Sequence, residues 1–351
     1  MSVEAAVQDQ GLVIPVNRHP LSPRFPPSPT HTSSNQLIDF SAFLQGTPAA
    51  RAATARALLA GFQTAGFVYL RAHPIAASTL RAVFARSAAF FAQPLAAKDA
   101  LRLTDAAANR GYLRQGRERL VDARGAQTAA GAELKESLEI GREPHDVFRN
   151  HWPAADDDGF REVMMGFFAE CQALHAQVMS AVAVGLGLPE TYFDAFVDRG
   201  DNTLRLLHYP PVRADVFKTN VGQVRAGEHS DYGSITLLFQ DGRGGLQVKS
   251  PSGTFVDATP IPDTIVVNAG DLLARWSNDT IKSTVHRVVE PPHDDDSVEV
   301  YPARYSIAYF CNPNADSVIE AMPGTYADEA DKKYESITSG DYLYQRLAAT
   351  Y

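Results

Sequence analysis

With 351 residues, 45% hydrophobic and 21% charged, the chain has room for one large domain or two small ones and a sizeable core. A net charge of −9, with an isoelectric point near 5.6, argues against a grip on nucleic acid or on acidic membranes. Two cysteines (Cys171 and Cys311) give no disulfide framework, the start MSVEAAVQDQ lacks a signal pattern, and no apolar run nears the roughly 18 residues of a membrane span, so a reducing, cytoplasmic setting is expected.

Residues 16–36, VNRHPLSPRFPPSPTHTSSNQ, are rich in proline and serine without apolar periodicity, so 1–36 reads as a poorly structured leader. From LIDF at 37–40 the texture changes. Leu58, Leu59 and Phe62 recur at helical spacing within 51–65, GFVYL at 66–70 reads as a strand, and a second helix is expected over 78–92. The stretch 105–160 mixes glycine, charge and short apolar pieces and carries no firm pattern. Residues 160–187 form one long amphipathic helix, its stripe running from Phe160 through Met164, Phe167, Phe168, Cys171, Leu174 and Val178 to Val182. His175 reads as a packed or exposed helical residue rather than a ligand. From 203 onward short strands alternate with turn signals: TLRLLHY, SITLLFQ, LQVKS, TFVDA, TIVVNAG, HRVVEP and RYSIAYF. The expected class is α+β: a double-stranded β-helix (jelly-roll) core with flanking helices, and a closing helix in SGDYLYQRLAATY capped by Ser339. Two regions follow the leader: 37–150, helices and strands, and 151–351, the long helix plus the β core.

GEHSDYGSITLLFQ at 227–240 places His229 and Asp231 two apart, on one face if a strand begins there. A second His-x-Asp, at His293 and Asp295, sits in the acidic loop PPHDDDS, so spacing alone decides nothing. The first pair has a distant companion, His286 in IKSTVHRVV. Two imidazoles and one carboxylate suit ferrous iron in oxygenases, with open positions for cosubstrate and O2; zinc is the chemical rival. On RYSIAYF, alternation puts Arg304, Ser306, Ala308 and Phe310 on one face, and an arginine inside a β core is costly unless an anion meets it. Arg304 and Ser306, with Tyr209 of LRLLHYP as a third contact, fit the far carboxylate of a small dicarboxylate, which beside iron implies 2-oxoglutarate. Arg205 shares the Tyr209 face, whereas His208 points the other way and reads as structural.

The order HxD, distant H, then RxS resembles the iron- and 2-oxoglutarate-dependent dioxygenases related to isopenicillin N synthase, over residues 37–351. LHYPP is similar to that family's Asn-x-Tyr-Pro segment, with Leu207 where the asparagine usually stands. GDNTLRLLHYPPV, GQVRAGEHSDYGSITLLFQD, VVNAGDLLARWSNDTIKSTVHRVVEPP and RYSIAYFCNPN resemble most closely the branch that oxidises the methyl group of free thymine stepwise toward uracil-5-carboxylate. The resemblance implies Fe(II) on His229, Asp231 and His286, 2-oxoglutarate on Arg304 and Ser306, Phe310 stacked on a pyrimidine, and Arg205 and Tyr232 near its polar edge. It leaves room for another small-molecule substrate, for an oxidase that needs no 2-oxoglutarate, and for a non-catalytic binding module. Residues 16–36 interrupt the resemblance and read as a retained intron.

Overall fold

The computed structural model describes residues 37–105, 107–116, 133–154, 159–219, 223–291 and 298–350. The leader with its intron reading, and the His293/Asp295 pair, lie outside the described residues. The first part comprises β1 (Leu37–Asp39), α1 (Ser41–Gln45), α2 (Pro48–Thr64), β2 (Phe67–Arg71), α3 (Ala77–Phe91), α4 (Leu95–Asp99), β3 (Gly111–Leu113) and β4 (Glu136–Gly141). Then come the long helix α5 (Phe160–Gly185), α6 (Asp194–Val197), β5 (Thr203–Tyr209), β6 (Val212–Arg213), α7 (Asp215–Thr219), β7 (Ala226–His229) and β8 (Ile235–Gln240). The chain continues through β9 (Leu246–Lys249), β10 (Phe255–Asp257), β11 (Thr264–Ala269), α8 (Asp271–Trp276) and β12 (His286–Val288). It ends with β13 (Val300–Tyr301), β14 (Arg304–Cys311), β15 (Val318–Ile319), β16 (Ile337–Thr338) and α9 (Ser339–Thr350). Among the described residues no helix is long and apolar enough to cross a membrane.

Eight strands form the main sheet in the order β1-β2-β11-β8-β14-β5-β4-β3, and four form a smaller one, β10-β9-β12-β7. Among the described residues, only β1–β2 pairs in parallel in these two sheets. One face of the main sheet carries the helices. The α5 stripe is fully sequestered, with Phe167 meeting Phe239 at 5.1 Å between ring centroids and Phe168 meeting Tyr309 at 5.0 Å. Each such ring removes enough apolar surface from water to contribute roughly 1.5–3 kcal/mol. Helix α2 starts where Thr47 Oγ1 accepts from Ala50 N at 3.3 Å and Pro48 presets the first turn.

The opposite face of the main sheet meets the small sheet. Leu207, Tyr209 and Ala308 from the large sheet pack with Ala226, Leu246 and Val288 from the small one. Register decides what enters this chamber. In β5–β14, Arg304 lies opposite Tyr209, Ser306 opposite Leu207 and Ala308 opposite Arg205. Period-2 alternation then sends Arg205, Tyr209, Arg304, Ser306 and Phe310 to one side.

Three expectations need correction. The strand expected to begin at His229 ends there instead: β7 closes at His229, Asp231 stands in the turn, and β8 opens at Ile235. The expected cap shifts by one residue, since Thr338 Oγ1 accepts from Asp341 N at 3.1 Å while Ser339 Oγ donates to Pro313 O at 3.2 Å. The patternless region contains β3 and β4, and every residue of β4 (ESLEIG) is buried.

Candidate active site

His229, Asp231 and His286 each offer a ligand atom, and the three atoms lie within 4.8 Å of one another. The register pairs His286 with His229 across β12 and β7, bringing the imidazole centroids to 4.3 Å. Asp231 is delivered by the turn, held because Asp271 N donates to Asp231 O at 2.8 Å and Gly270 N to Ser234 O at 2.9 Å. Gly233 is needed for that approach: a Cβ there would lie 2.2 Å from Cys311 O.

The groups around the triad fix its orientation. Nδ1–H of His229 donates to Gly227 O at 2.8 Å, and Nδ1–H of His286 to Thr284 O at 3.2 Å, which leaves both Nε2 atoms as acceptors. Asp231 Oδ2 accepts from Thr236 Oγ1 and from Asn268 Nδ2, both at 2.6 Å, so Oδ1 remains to face His286 Nε2 at 3.7 Å. Burial and the neighbouring His286 bring the His229 imidazole down to about 4, against the pull of Asp231. Burial would raise the Asp231 carboxyl, but the two histidines and the Asn268 and Thr236 hydrogen bonds outweigh it and hold it below the usual range. Neutral imidazoles beside an ionised carboxylate are the donor set a divalent metal requires, so the residues fit ferrous iron.

Arg304 is 1% exposed and donates only to neutral groups among the described residues: Gly244 O at 3.0 Å, Ser306 Oγ at 3.1 Å and Gln240 Oε1 at 3.0 Å. Its guanidinium stands 4.8 Å from the Tyr209 ring centroid. A buried cation with no acid beside it is an anion receptor in waiting.

A cavity of about 330 Å³ opens beside the triad, lined by His229, Asp231, Tyr232, Arg205, Phe310 and Asn202 among others. Arg205 lies 5.1 Å over the Phe310 ring, and its Nε meets Glu139 Oε1 at 2.7 Å. Arg346 of α9 lies 4.5 Å over the Tyr232 ring and pairs with Asp271 at 3.0 Å. Of the nine residues singled out from the sequence, His229, Asp231, Tyr232, Arg205 and Phe310 line this cavity, His286 joins the first two in the triad, and Tyr209, Arg304 and Ser306 lie on the same face of the main sheet as Arg205 and Phe310. His208 pairs with Glu136 at 2.7 Å, and His175 contacts Ser234 Oγ at 3.1 Å, so both serve structure. Sequence reasoning missed Asn268, Thr236, Gln240, Glu139 and Asp271. A polar residue interrupting an apolar strand, as in TIVVNAG, was the available signal for Asn268.

Residues 200–313 match the 2OG-Fe(II) oxygenase superfamily, and residues 36–155 match the N-terminal family described as non-haem dioxygenase in morphine synthesis. The chain is 36% identical over 327 residues to the proline hydroxylase buaE of Petromyces alliaceus, covering 90% of this chain and 99% of that one. Full-length Neurospora crassa thymine 7-hydroxylase in complex with alpha-KG and thymine is similar at TM-score 0.84 and 60% identity, over 90% of this chain and 96% of that one. The same protein with 5-formyluracil gives 0.82 and 59%, over the same shares.

Proposed function

The chain belongs to the 2OG-Fe(II) oxygenase superfamily and is a 2-oxoglutarate-dependent dioxygenase that uses Fe(II) and O2; we propose that it oxidises the methyl group of free thymine. Oxidation runs stepwise through 5-hydroxymethyluracil and 5-formyluracil to uracil-5-carboxylate. We read the two packed sheets as a double-stranded β-helix, with 37–150 as its helical and strand preface and 151–351 as its core. The observation that carries the substrate is the charge balance of the cavity. Of the two arginines in its wall, Arg205 is paired with Glu139, and Arg110 sits among Glu139, Asp201 and Glu143. The wall therefore offers hydrogen-bond donors and an aromatic face without a free net charge, which suits a flat neutral base better than an acid.

His229, Asp231 and His286 would hold the metal on one side and leave the other open. The chemistry supplied there by ferrous iron, when bound, is oxidative decarboxylation of 2-oxoglutarate to succinate and CO2 coupled to hydroxylation of the substrate. Arg304 and Ser306 fix the far carboxylate of 2-oxoglutarate, with the Tyr209 ring bounding the seat. Phe310 offers a face for the pyrimidine, while Arg205 and Tyr232 address its polar edge and turn the methyl toward the triad. Leu207, Ala308 and Val288 keep the chamber dry, which strengthens each of these polar contacts.

A second reading, the same reaction on another small molecule, is favoured by the proline hydroxylase among the relatives. Incubation of the pure enzyme with Fe(II), 2-oxoglutarate and thymine separates the two. Thymine-dependent succinate with the three oxidised uracils in order is the expected result. Succinate release that proline or a secondary metabolite stimulates, and thymine does not, would sink the thymine reading.

A further inference from the structure

Arg225 stands four residues before His229, where Arg225 N donates to Val288 O at 2.8 Å and extends the β7–β12 ladder. The β7–β12 register shifts between His286 and Val288, so alternation does not carry from His229 to Arg225; its side chain is placed by its reach to Pro302, two residues before Arg304. The residue is fully buried, yet its side chain makes one long hydrogen bond, Nη2 to Pro302 O at 3.4 Å. Nε and Nη1 have no hydrogen-bond partner, and no acid pairs with it among the described residues. Arg304, a like charge, acts on it more strongly than the acid Asp241 does. Asp241 is already engaged, its Oδ2 by Tyr305 N at 2.6 Å and its Oδ1 by Arg243 N at 3.0 Å. Burial, aided by Arg304, lowers the Arg225 guanidinium to about 10, so it stays charged at neutral pH.

Two buried guanidinium groups thus share one end of the chamber, with neutral partners or none. Neither burial nor like-charge proximity favours this arrangement in the empty protein. Such strain persists in a fold when a ligand relieves it. We propose that Arg225 is a second guanidinium at the seat of the cosubstrate's far carboxylate, making with Arg304, Ser306 and Tyr209 a two-arginine anion site. This rests on the reading that Arg304 and Ser306 hold 2-oxoglutarate. It assigns the site a stronger demand for a full negative charge than one arginine imposes.

The test uses the full chain loaded with Mn(II) in place of iron, and calorimetric titration with 2-oxoglutarate and with 2-oxovalerate, which lacks the far carboxylate. Arg225→Met is expected to raise the Kd for 2-oxoglutarate at least tenfold and leave that for 2-oxovalerate unchanged, while Arg225→Lys recovers part of the loss. The melting temperature of the ligand-free Arg225→Met chain should hold or rise, since an unpaired buried charge is gone, and its increase on adding 2-oxoglutarate should shrink. An Arg225→Met Kd within twofold of the parent, with Arg304→Met severely weakened, overturns the role of Arg225 and leaves the Arg304 reading standing. Normal 2-oxoglutarate binding by Arg304→Met overturns both. A lower ligand-free melting temperature with 2-oxoglutarate binding intact makes Arg225 a structural residue and also overturns the proposal.

Discussion

Replacing Glu139 by Gln tests whether the cavity wall is held by charge. Glu139 is fully buried on β4, with Oε1 at 2.7 Å from Arg205 Nε, and it also accepts from Ser137 Oγ at 2.9 Å. Glutamine keeps the volume and one acceptor but removes the negative charge. Removing one partner of a buried pair costs about 3–5 kcal/mol, because the other charge is left uncompensated. The Arg205 side chain is 13% exposed, toward the cavity, which places the expected loss near the low end, about 3 kcal/mol. That lowers the folded-to-unfolded ratio by more than about a hundredfold. Urea unfolding followed by tryptophan fluorescence reads it, and Glu139→Gln/Arg205→Met should recover part of the loss, since the Arg205 charge is gone while Arg110, which Glu139 also supports, stays. A second readout is selectivity: with Arg205 unneutralised, uracil-5-carboxylate should inhibit the variant more strongly relative to thymine than it inhibits the parent. A stability loss below about 1 kcal/mol together with unchanged inhibition would refute the reasoning, because the pair would then behave like a screened surface bridge.

Asn268→Ala removes one of the two hydrogen bonds to Asp231 Oδ2 and should weaken metal binding about 10–100-fold in a competition titration; an unchanged affinity would count against the orienting role. Phe167→Ala empties a site that is fully buried against Phe239 and should cost about 3–5 kcal/mol in urea unfolding. His175 is fully buried, and burial lowers its imidazole from 6.5 to about 3. Between those values the unfolded chain binds a proton that the native chain refuses. Its contribution is therefore complete above pH 6.5 and lost as pH falls toward 3, by about 1.4 kcal/mol per unit. The stability difference between parent and His175→Gln should follow that slope from pH 6.5 down to 4.5, and a flat difference would show that His175 is not the group titrating.

The two strands that line the chamber were legible because they obey period 2 without interruption. TLRLLHY and RYSIAYF became β5 and β14, and the face assigned to Arg304, Ser306 and Phe310 is the face they occupy. The candidate metal pair was legible for a partly mistaken reason. Alternation was to align His229 with Asp231, whereas a glycine-locked turn does it, through contacts with Cys311 and Asp271 that lie 40 to 80 positions away in the chain. Strand β4 was illegible because ESLEIG buries two glutamates, which local propensity cannot anticipate. Glu136 is tolerated through Lys98, Tyr112 and His208, and Glu139 through Arg205, all supplied by other elements. Buried charge is stabilised by partners that only the tertiary fold assembles.

The same chemistry divides the chamber into two ends. At the cavity wall Arg205 faces the buried Glu139, and against the Tyr232 ring Arg346 pairs with the half-buried Asp271. Arg110, which also reaches the cavity, sits among Glu139, Asp201 and Glu143. At the other end, Arg304 and Arg225 make hydrogen bonds only to neutral groups and pair with no acid among the described residues. An anion entering the compensated end would meet the buried carboxylates as well as the cations and gain little; at the uncompensated end it removes a standing electrostatic penalty. The two seats thus sort ligands by charge before shape is considered. On the proposed function, the dicarboxylate is drawn to Arg304, and a neutral ring is left the space beside Phe310. A substrate that carried its own carboxylate would compete for the arginine seat, and the pairing of Arg205 with Glu139 withholds from it a second one.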